Sequence, residues 1–107
     1  MDHETFEAEK FGELFPQVEA AYRRAFNELN EQYDSTLVHA IDQQILDGSE
    51  PVYEDGAFRI RLPDNPVERV EGVVADEQRI AELLEVYVEE LETQLAAVVG
   101  DGAEEKE

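Results

Sequence analysis

The chain has no cysteine and no tryptophan, a single methionine, and only two lysines, Lys10 and Lys106, among its eight basic residues. Lacking cysteine, it forms no disulfide, no thiolate metal site and no cysteine nucleophile. Its apolar runs all fall short of the roughly 20 residues that cross a membrane, so no membrane partner is expected. The acidic start Met1-Asp2-His3-Glu4 is unlike a secretory leader, and the chain carries no Asn-x-Ser/Thr glycosylation acceptor. The location these absences point to is the cytoplasm.

Carboxylate, by contrast, is plentiful. The 107 residues include 28 acidic against 8 basic, a formal net charge of -20, and 42% of them are apolar. Like charge at that density opposes compaction in dilute buffer. At about 1 M salt the Debye length shrinks to roughly 3 Å and the repulsion is screened. An acidic coat with almost no lysine is therefore read as adaptation to a cytosol rich in potassium chloride. The rival reading is an acidic interaction protein from an ordinary cell. High charge also accompanies disorder, but here the apolar residues are periodic, which predicts a core.

Phe15, Val18, Tyr22, Ala25 and Leu29 recur at helical steps, widened by Phe26 and Tyr33, and predict a helix from Pro16 to Tyr33. Asp34-Ser35 reads as a turn and N-cap. Leu37, Val38, Ile41, Ile45 and Leu46 predict a second helix over 36–47, stopped by Gly48. Val52-Tyr53 and Ala57–Leu62 flank Glu54-Asp55-Gly56, a hairpin signal, with Phe58, Ile60 and Leu62 alternating against Arg59 and Arg61. Asn65 and Pro66 are expected to open a one-turn helix through Val70, and Gly72-Val73-Val74 to offer a short third strand. Asp76 caps the last helix, expected to run to Val99, in which Leu84, Val88, Leu91, Leu95 and Val98 step by four and three.

The fold class is thus α+β and mainly helical: two long amphipathic helices and a shorter helix packed with a β-hairpin. Residues 1–10 are expected to be an acidic, frayed N-terminal segment, although Thr5 offers a cap for a short helix to Leu14 with Phe6 and Phe11 inward. Residues 11–99 form the single domain. Residues 100–107 are expected to be a disordered acidic tail.

The run from Tyr33 to Leu46, with Leu37-Val38-His39-Ala40-Ile41-Asp42-Gln43-Gln44 at its centre, resembles a group of small haloarchaeal proteins classed only as a domain of unknown function. Glu50-Pro51-Val52-Tyr53, the stretch from Ala25 to Glu31 and that from Phe58 to Pro63 share the resemblance, which covers roughly residues 11–99. It implies salt adaptation and a cytoplasmic location. No activity, cofactor or catalytic residue comes with it.

Several residues carry chemistry worth weighing. His39 and Asp42, three apart, share a helix face, and an Asp can orient a His as general base. Nothing near them supplies a nucleophile, since Ser35 and Thr36 suit capping, so a partly buried histidine with a backbone or Gln partner is the plainer reading. Glu82, Glu85, Glu89 and Glu92 form a row whose oxygens are of the kind a divalent cation takes, but without a histidine it reads as a solvated acidic face, and no metal or cofactor is expected. Arg59 and Arg61 point the same way from the second strand, and with Arg23, Arg24 and Arg69 are the candidates for an anion- or phosphate-binding patch. The plainer reading pairs each with a surplus carboxylate. Glutamine reads adenine edges, and the helix–helix–hairpin order has a winged-helix flavour, but residues 36–47 contain no Lys or Arg and Glu54 and Asp55 sit at the hairpin tip, which argues against nucleic acid.

A final helix of about 24 residues spans roughly 36 Å. On a domain this small part of it overhangs, leaving Leu91, Leu95 and Val98 for residues 5–15 or a second subunit to cover. The expected function is a non-enzymatic, salt-adapted interaction module, homodimeric or part of a larger assembly. A nucleic-acid-associated regulator using Arg59 and Arg61 is the alternative, and an enzyme around His39 and Asp42 the third reading.

Overall fold

A computed structural model describes residues 2–100 of the chain. The helices are α1 (His3–Glu9), α2 (Phe15–Gln32), α3 (Ser35–Gln44) and α4 (Glu77–Leu95), and a hairpin of β1 (Glu50–Glu54) and β2 (Ala57–Arg61) lies between α3 and α4. This is the α+β, mainly helical plan that the periodicities predict.

The two long helices make the core because each carries one continuous apolar face. From α2 come Ala25 and Leu29, from α4 Ile80, Leu83, Leu84, Tyr87 and Leu91, and α3 closes the cluster with Leu37, Val38, Ile41 and the following Ile45. Expected caps are realised at both Asp34, which accepts from the Thr36 N–H at 2.9 Å, and Asp76, which accepts from the Arg79 N–H at 2.8 Å. Each satisfies one of the amide donors that a helix start leaves free.

β1 and β2 pair antiparallel with Val52 opposite Arg59 and Glu54 opposite Ala57. A two-residue turn joins them, with Asp55 at φ 52° and Gly56 at φ 78°. Positive φ at both central positions is the turn whose twist matches that of the strands, and it explains why an Asp-Gly pair stands there. Phe58 is buried while Arg59 and Arg61 are exposed, so the alternation holds. The hairpin's apolar face meets a second cluster: Phe6, Val18, Ala21, Leu95 and Val99 surround Phe58.

That second cluster overturns two expectations. Residues 3–9 do not fray. They form a helix capped by Asp2, whose side chain accepts from the Thr5 N–H at 2.8 Å, and Phe6 is fully buried edge-on to Phe58, with ring centroids 5.3 Å apart. The cap is Asp2 rather than Thr5, the helix stops at Glu9, and Phe11 faces outward. Nor are the residues named for a dimer contact left open: Leu91 and Leu95 are fully buried within the chain and Val98 is half-buried in the same cluster. Of the two covers considered, it is residues 5–15 that serve: Phe6 from α1, with Phe58 from β2, packs in the cluster of Leu95 and Val98, while Leu91 lies in the main core, so the overhang no longer argues for a homodimer.

Smaller differences have local causes. α3 gives way after Gln44 to a 3₁₀ turn, Leu46–Gly48, and α4 ends in a wider π-type turn, Ala96–Gly100. Gly72-Val73-Val74 adds no strand among the described residues. Instead the Gln44 side chain donates to the Glu71 carbonyl at 2.9 Å and accepts from the Glu71 N–H at 2.8 Å, which ties that loop to α3. Pro66, not Asn65, precedes the short 3₁₀ turn Val67–Arg69. The acidic tail 101–107 lies outside the described residues.

Lys10 is the least expected element. It is 2% exposed, and its ammonium donates to Glu7 at 2.9 Å, to Glu50 at 2.5 Å and to the Pro51 carbonyl at 3.0 Å. All three ammonium donors are used, and the charge clasps α1 to β1. Its bond also holds the Glu50 carboxyl below the usual carboxylate range.

Candidate functional site

A cleft of about 590 Å³ lies between the first turns of α2, the end of α3 and the approach to β1. Its position follows from the chain's turns. α2 begins at Phe15 with Pro16 in its first turn, and Phe15 stands 40% exposed there. The 3₁₀ turn after α3 brings Leu46, Asp47 and Ser49 back toward α2. Phe15, Val18, Tyr22, Leu46 and Pro51 form the apolar lining. Phe11 is 68% exposed and Phe15 40% exposed at its rim, with ring centroids 6.5 Å apart.

Polar groups converge on the same space. Ser49 donates to the Leu46 carbonyl at 2.6 Å, which leaves its oxygen to accept from the Tyr22 hydroxyl at 3.0 Å. Tyr22 therefore stands in a fixed pose, and burial pushes its hydroxyl pKa up. Asp42 is half-buried, and its one hydrogen bond among the described residues is a long one, 3.3 Å from the Tyr87 hydroxyl. Burial raises the Asp42 pKa, partly offset by that bond, and the negative charge of Asp47 adds to the rise. Tyr87 is pushed up in turn, by burial first and then by the Asp42 charge. Glu19, Asp42 and Asp47 face a single guanidinium, Arg23, in the lining, so the cleft is acidic as well as aromatic.

Of the residues singled out by sequence, Asp42 is in this cleft and His39 is not joined to it. His39 is exposed. Its Nδ1–H donates to the Ser35 carbonyl at 2.8 Å, and its ring stands edge-on to Phe26 at 4.9 Å. Each takes a different partner: His39 has the backbone partner of the plainer reading, although it is exposed rather than partly buried, and no hydrogen bond joins it to Asp42.

Arg59 and Arg61 lie exposed on the outer face of β2, and neither has a carboxylate within 4.0 Å among the described residues, where the only ion pairs are those of Lys10. The reading that pairs them with surplus acids is therefore corrected. Arg59 lines a shallow hollow of about 560 Å³ with Glu89 and Glu92. Glu92 is in turn engaged by the Ile60 N–H at 3.3 Å. No group of three or more His, Asp or Glu among the described residues is placed to hold a metal ion. Gln44, considered for base reading, is occupied by Glu71.

Sequence reasoning missed the cleft because it counted Phe15 with the core stripe and turned Phe11 inward. A signal was present: a proline favours the first turn of a helix, so Pro16 places Phe15 at the very start of α2.

Four helices and one hairpin around a two-part apolar core thus define a small, mainly helical α+β protein with an acidic, aromatic-rimmed cleft. The chain belongs to the family of unknown function DUF5783, whose family model matches residues 1–101. No curated protein and no solved structure matches it.

Proposed function

We propose that the protein is a non-enzymatic, salt-adapted interaction module that docks a segment of a different protein in the Phe11–Phe15 cleft. One observation carries this reading. Two large aromatic side chains stand exposed, side by side, at the rim of a concavity on a chain otherwise coated with carboxylate. Exposed apolar groups rimmed by polar ones mark docking sites, and aromatic residues are enriched where binding energy concentrates. A second copy has less support, because Leu91 and Leu95, the residues read as a dimer contact, are buried within the chain itself.

The test is selection of random displayed peptides on the folded protein in about 2 M KCl, where charge repulsion is screened, against the double variant Phe11→Ser with Phe15→Ser. The reading expects peptides enriched on the natural protein and lost on the variant. Enrichment that ignores both rings sinks it, and self-association seen by light scattering replaces the partner with a second copy.

A second reading has its own support. Arg59 and Arg61 stand on one strand face and form no ion pair within 4.0 Å among the described residues, which leaves their guanidiniums able to contact phosphate. Fluorescence anisotropy with a labelled duplex, repeated on Arg59→Ala with Arg61→Ala, tests it. Binding that both substitutions abolish favours a nucleic-acid-associated regulator over the docking module.

A further inference from the structure

We infer that the partner's anchor in the cleft is the guanidinium of an arginine side chain, held between the aromatic wall of α2 and the carboxylates of Asp42 and Asp47. This inference rests on the docking reading and names the chemistry of its occupant.

The lining sets that chemistry. Phe15 and Tyr22 present aromatic surface from α2, while Asp42 and Asp47 present negative charge from the end of α3 and the turn after it. With Glu19 on the same lining and Arg23 as the one basic group there, the cleft is a poor host for an anion. A purely apolar side chain would cover the rings and strip water from Asp42 with nothing to replace it. A half-buried carboxylate deprived of donors is costly. An ionised carboxylate has about four acceptor positions, and among the described residues Asp42 takes only the long bond from Tyr87, so its remaining positions are open to a donor entering the cleft. The Asp42 pKa is raised by burial first and by Asp47 as well, and a cation seated between the two carboxylates relieves both causes' cost.

Among cations, guanidinium fits best. It is planar, weakly hydrated, stacks on aromatic faces, and offers up to five N–H donors in one plane. An ammonium is compact and strongly hydrated, and in a cytosol of potassium chloride it competes with potassium for bare carboxylates. Stacking on Phe15 or Tyr22 depends less on long-range attraction, which at about 1 M salt is screened beyond roughly 3 Å. The chain itself sets a guanidinium over an aromatic ring, with the Arg79 Cζ 6.0 Å from the Tyr33 ring centroid.

The experiment is an amide NMR titration of the full chain in about 2 M KCl with three capped tripeptides, leucine–X–leucine, where X is arginine, citrulline or lysine. Citrulline keeps the shape of arginine and removes its charge. The arginine peptide is expected to move the resonances of Phe15, Tyr22, Asp42 and Asp47, and to bind about tenfold more tightly than the citrulline peptide. The double variant Asp42→Asn with Asp47→Asn, near-isosteric and checked for folding by its own spectrum, is expected to erase that tenfold difference and leave citrulline binding unchanged. Equal affinity for arginine and citrulline at the cleft overturns the guanidinium anchor and leaves the docking reading intact. Tighter binding of the lysine peptide than of the arginine one overturns the choice of cation. A cleft untouched by all three peptides overturns this inference, while the displayed-peptide selection judges docking separately.

Discussion

The Lys10 clasp yields a sharp prediction. Replacing Lys10 with Met keeps a linear side chain between Phe6 and Phe11 and removes only the charge and its donors. Three groups lose a partner. Glu7 and Glu50 are 33% and 41% exposed, so they regain water and their loss adds little. The Pro51 carbonyl is different: its residue is buried, and Lys10 bonds it at 3.0 Å. An orphaned buried acceptor costs about 1–3 kcal/mol, and the lost attraction between the ammonium and the Phe6 and Phe11 rings adds about 0.5 kcal/mol. The expected total is about 2 kcal/mol, which for a chain of this size lowers Tm by about 8 °C. Circular dichroism melting in about 1 M and about 3 M KCl measures it, and the loss should be nearly the same at both, since a buried pair is little screened. Hydrogen exchange at the Lys10 amide, which donates to the Phe6 carbonyl at 2.8 Å, should quicken as α1 loosens. A Lys10→Met protein that melts at or above the natural temperature, with α1 exchange unchanged, would refute the clasp and leave Phe6 as the sole anchor of α1.

Further expectations follow from the same physics. Leu95→Ala should cost about 2–5 kcal/mol by chemical denaturation, because it opens a cavity in a filled core; a dimer-contact role would instead leave the monomer's stability intact. Phe15→Ser, at an exposed site, should stay within about 0.5 kcal/mol of the natural protein, and a larger loss would place that ring in the core. Glu50 has a depressed folded-state pKa, so its contribution is present above the ordinary carboxylate range and fades as pH falls through the lowered value. The natural protein's advantage over Glu50→Gln should therefore shrink on acidification. Asp42 has the opposite sign. Its raised pKa means the ionised form is disfavoured in the fold, so Asp42→Asn should match or exceed the natural protein near pH 7 and lose that edge as pH falls below the raised value. Paired denaturation curves near pH 7 and at an acidic pH below the ordinary carboxylate range test both signs at once.

Much of the architecture was legible because long amphipathic helices announce themselves. α4 offers Ile80, Leu83, Leu84, Tyr87, Leu91 and Leu95 on one face, and two aspartates cap α3 and α4 where short polar side chains precede apolar runs. The Asp-Gly turn was legible for the same kind of reason, since few pairs accept two positive φ values. α1 was legible only in part: a short helix with Phe6 inward could be read, but not its start at Asp2, its stop at Glu9 or the outward turn of Phe11, because a helix of seven residues that buries one side chain offers no period to fix its bounds. Its stability comes from Glu50 and Pro51, some 40 positions away, and no local pattern encodes a contact that distant. The cleft was half legible. Asp42 stood out from its chemistry, while its partnership with Tyr87 rather than His39 depends on how α3 and α4 are rotated against each other. Phe15 fitted the helical stripe by spacing, and its exposure follows from its place at the very start of α2, beyond the reach of the facing helix.

An almost lysine-free surface has a practical consequence. With Lys10 sealed, reagents that acylate amines meet no lysine on the folded face of the domain from residue 2 to residue 99. Any label that does reach Lys10 must have arrived while α1 was lifted from β1. The rate at which its tryptic peptide gains mass is then a clock for that opening, set by the molecule's own composition and needing no engineered probe.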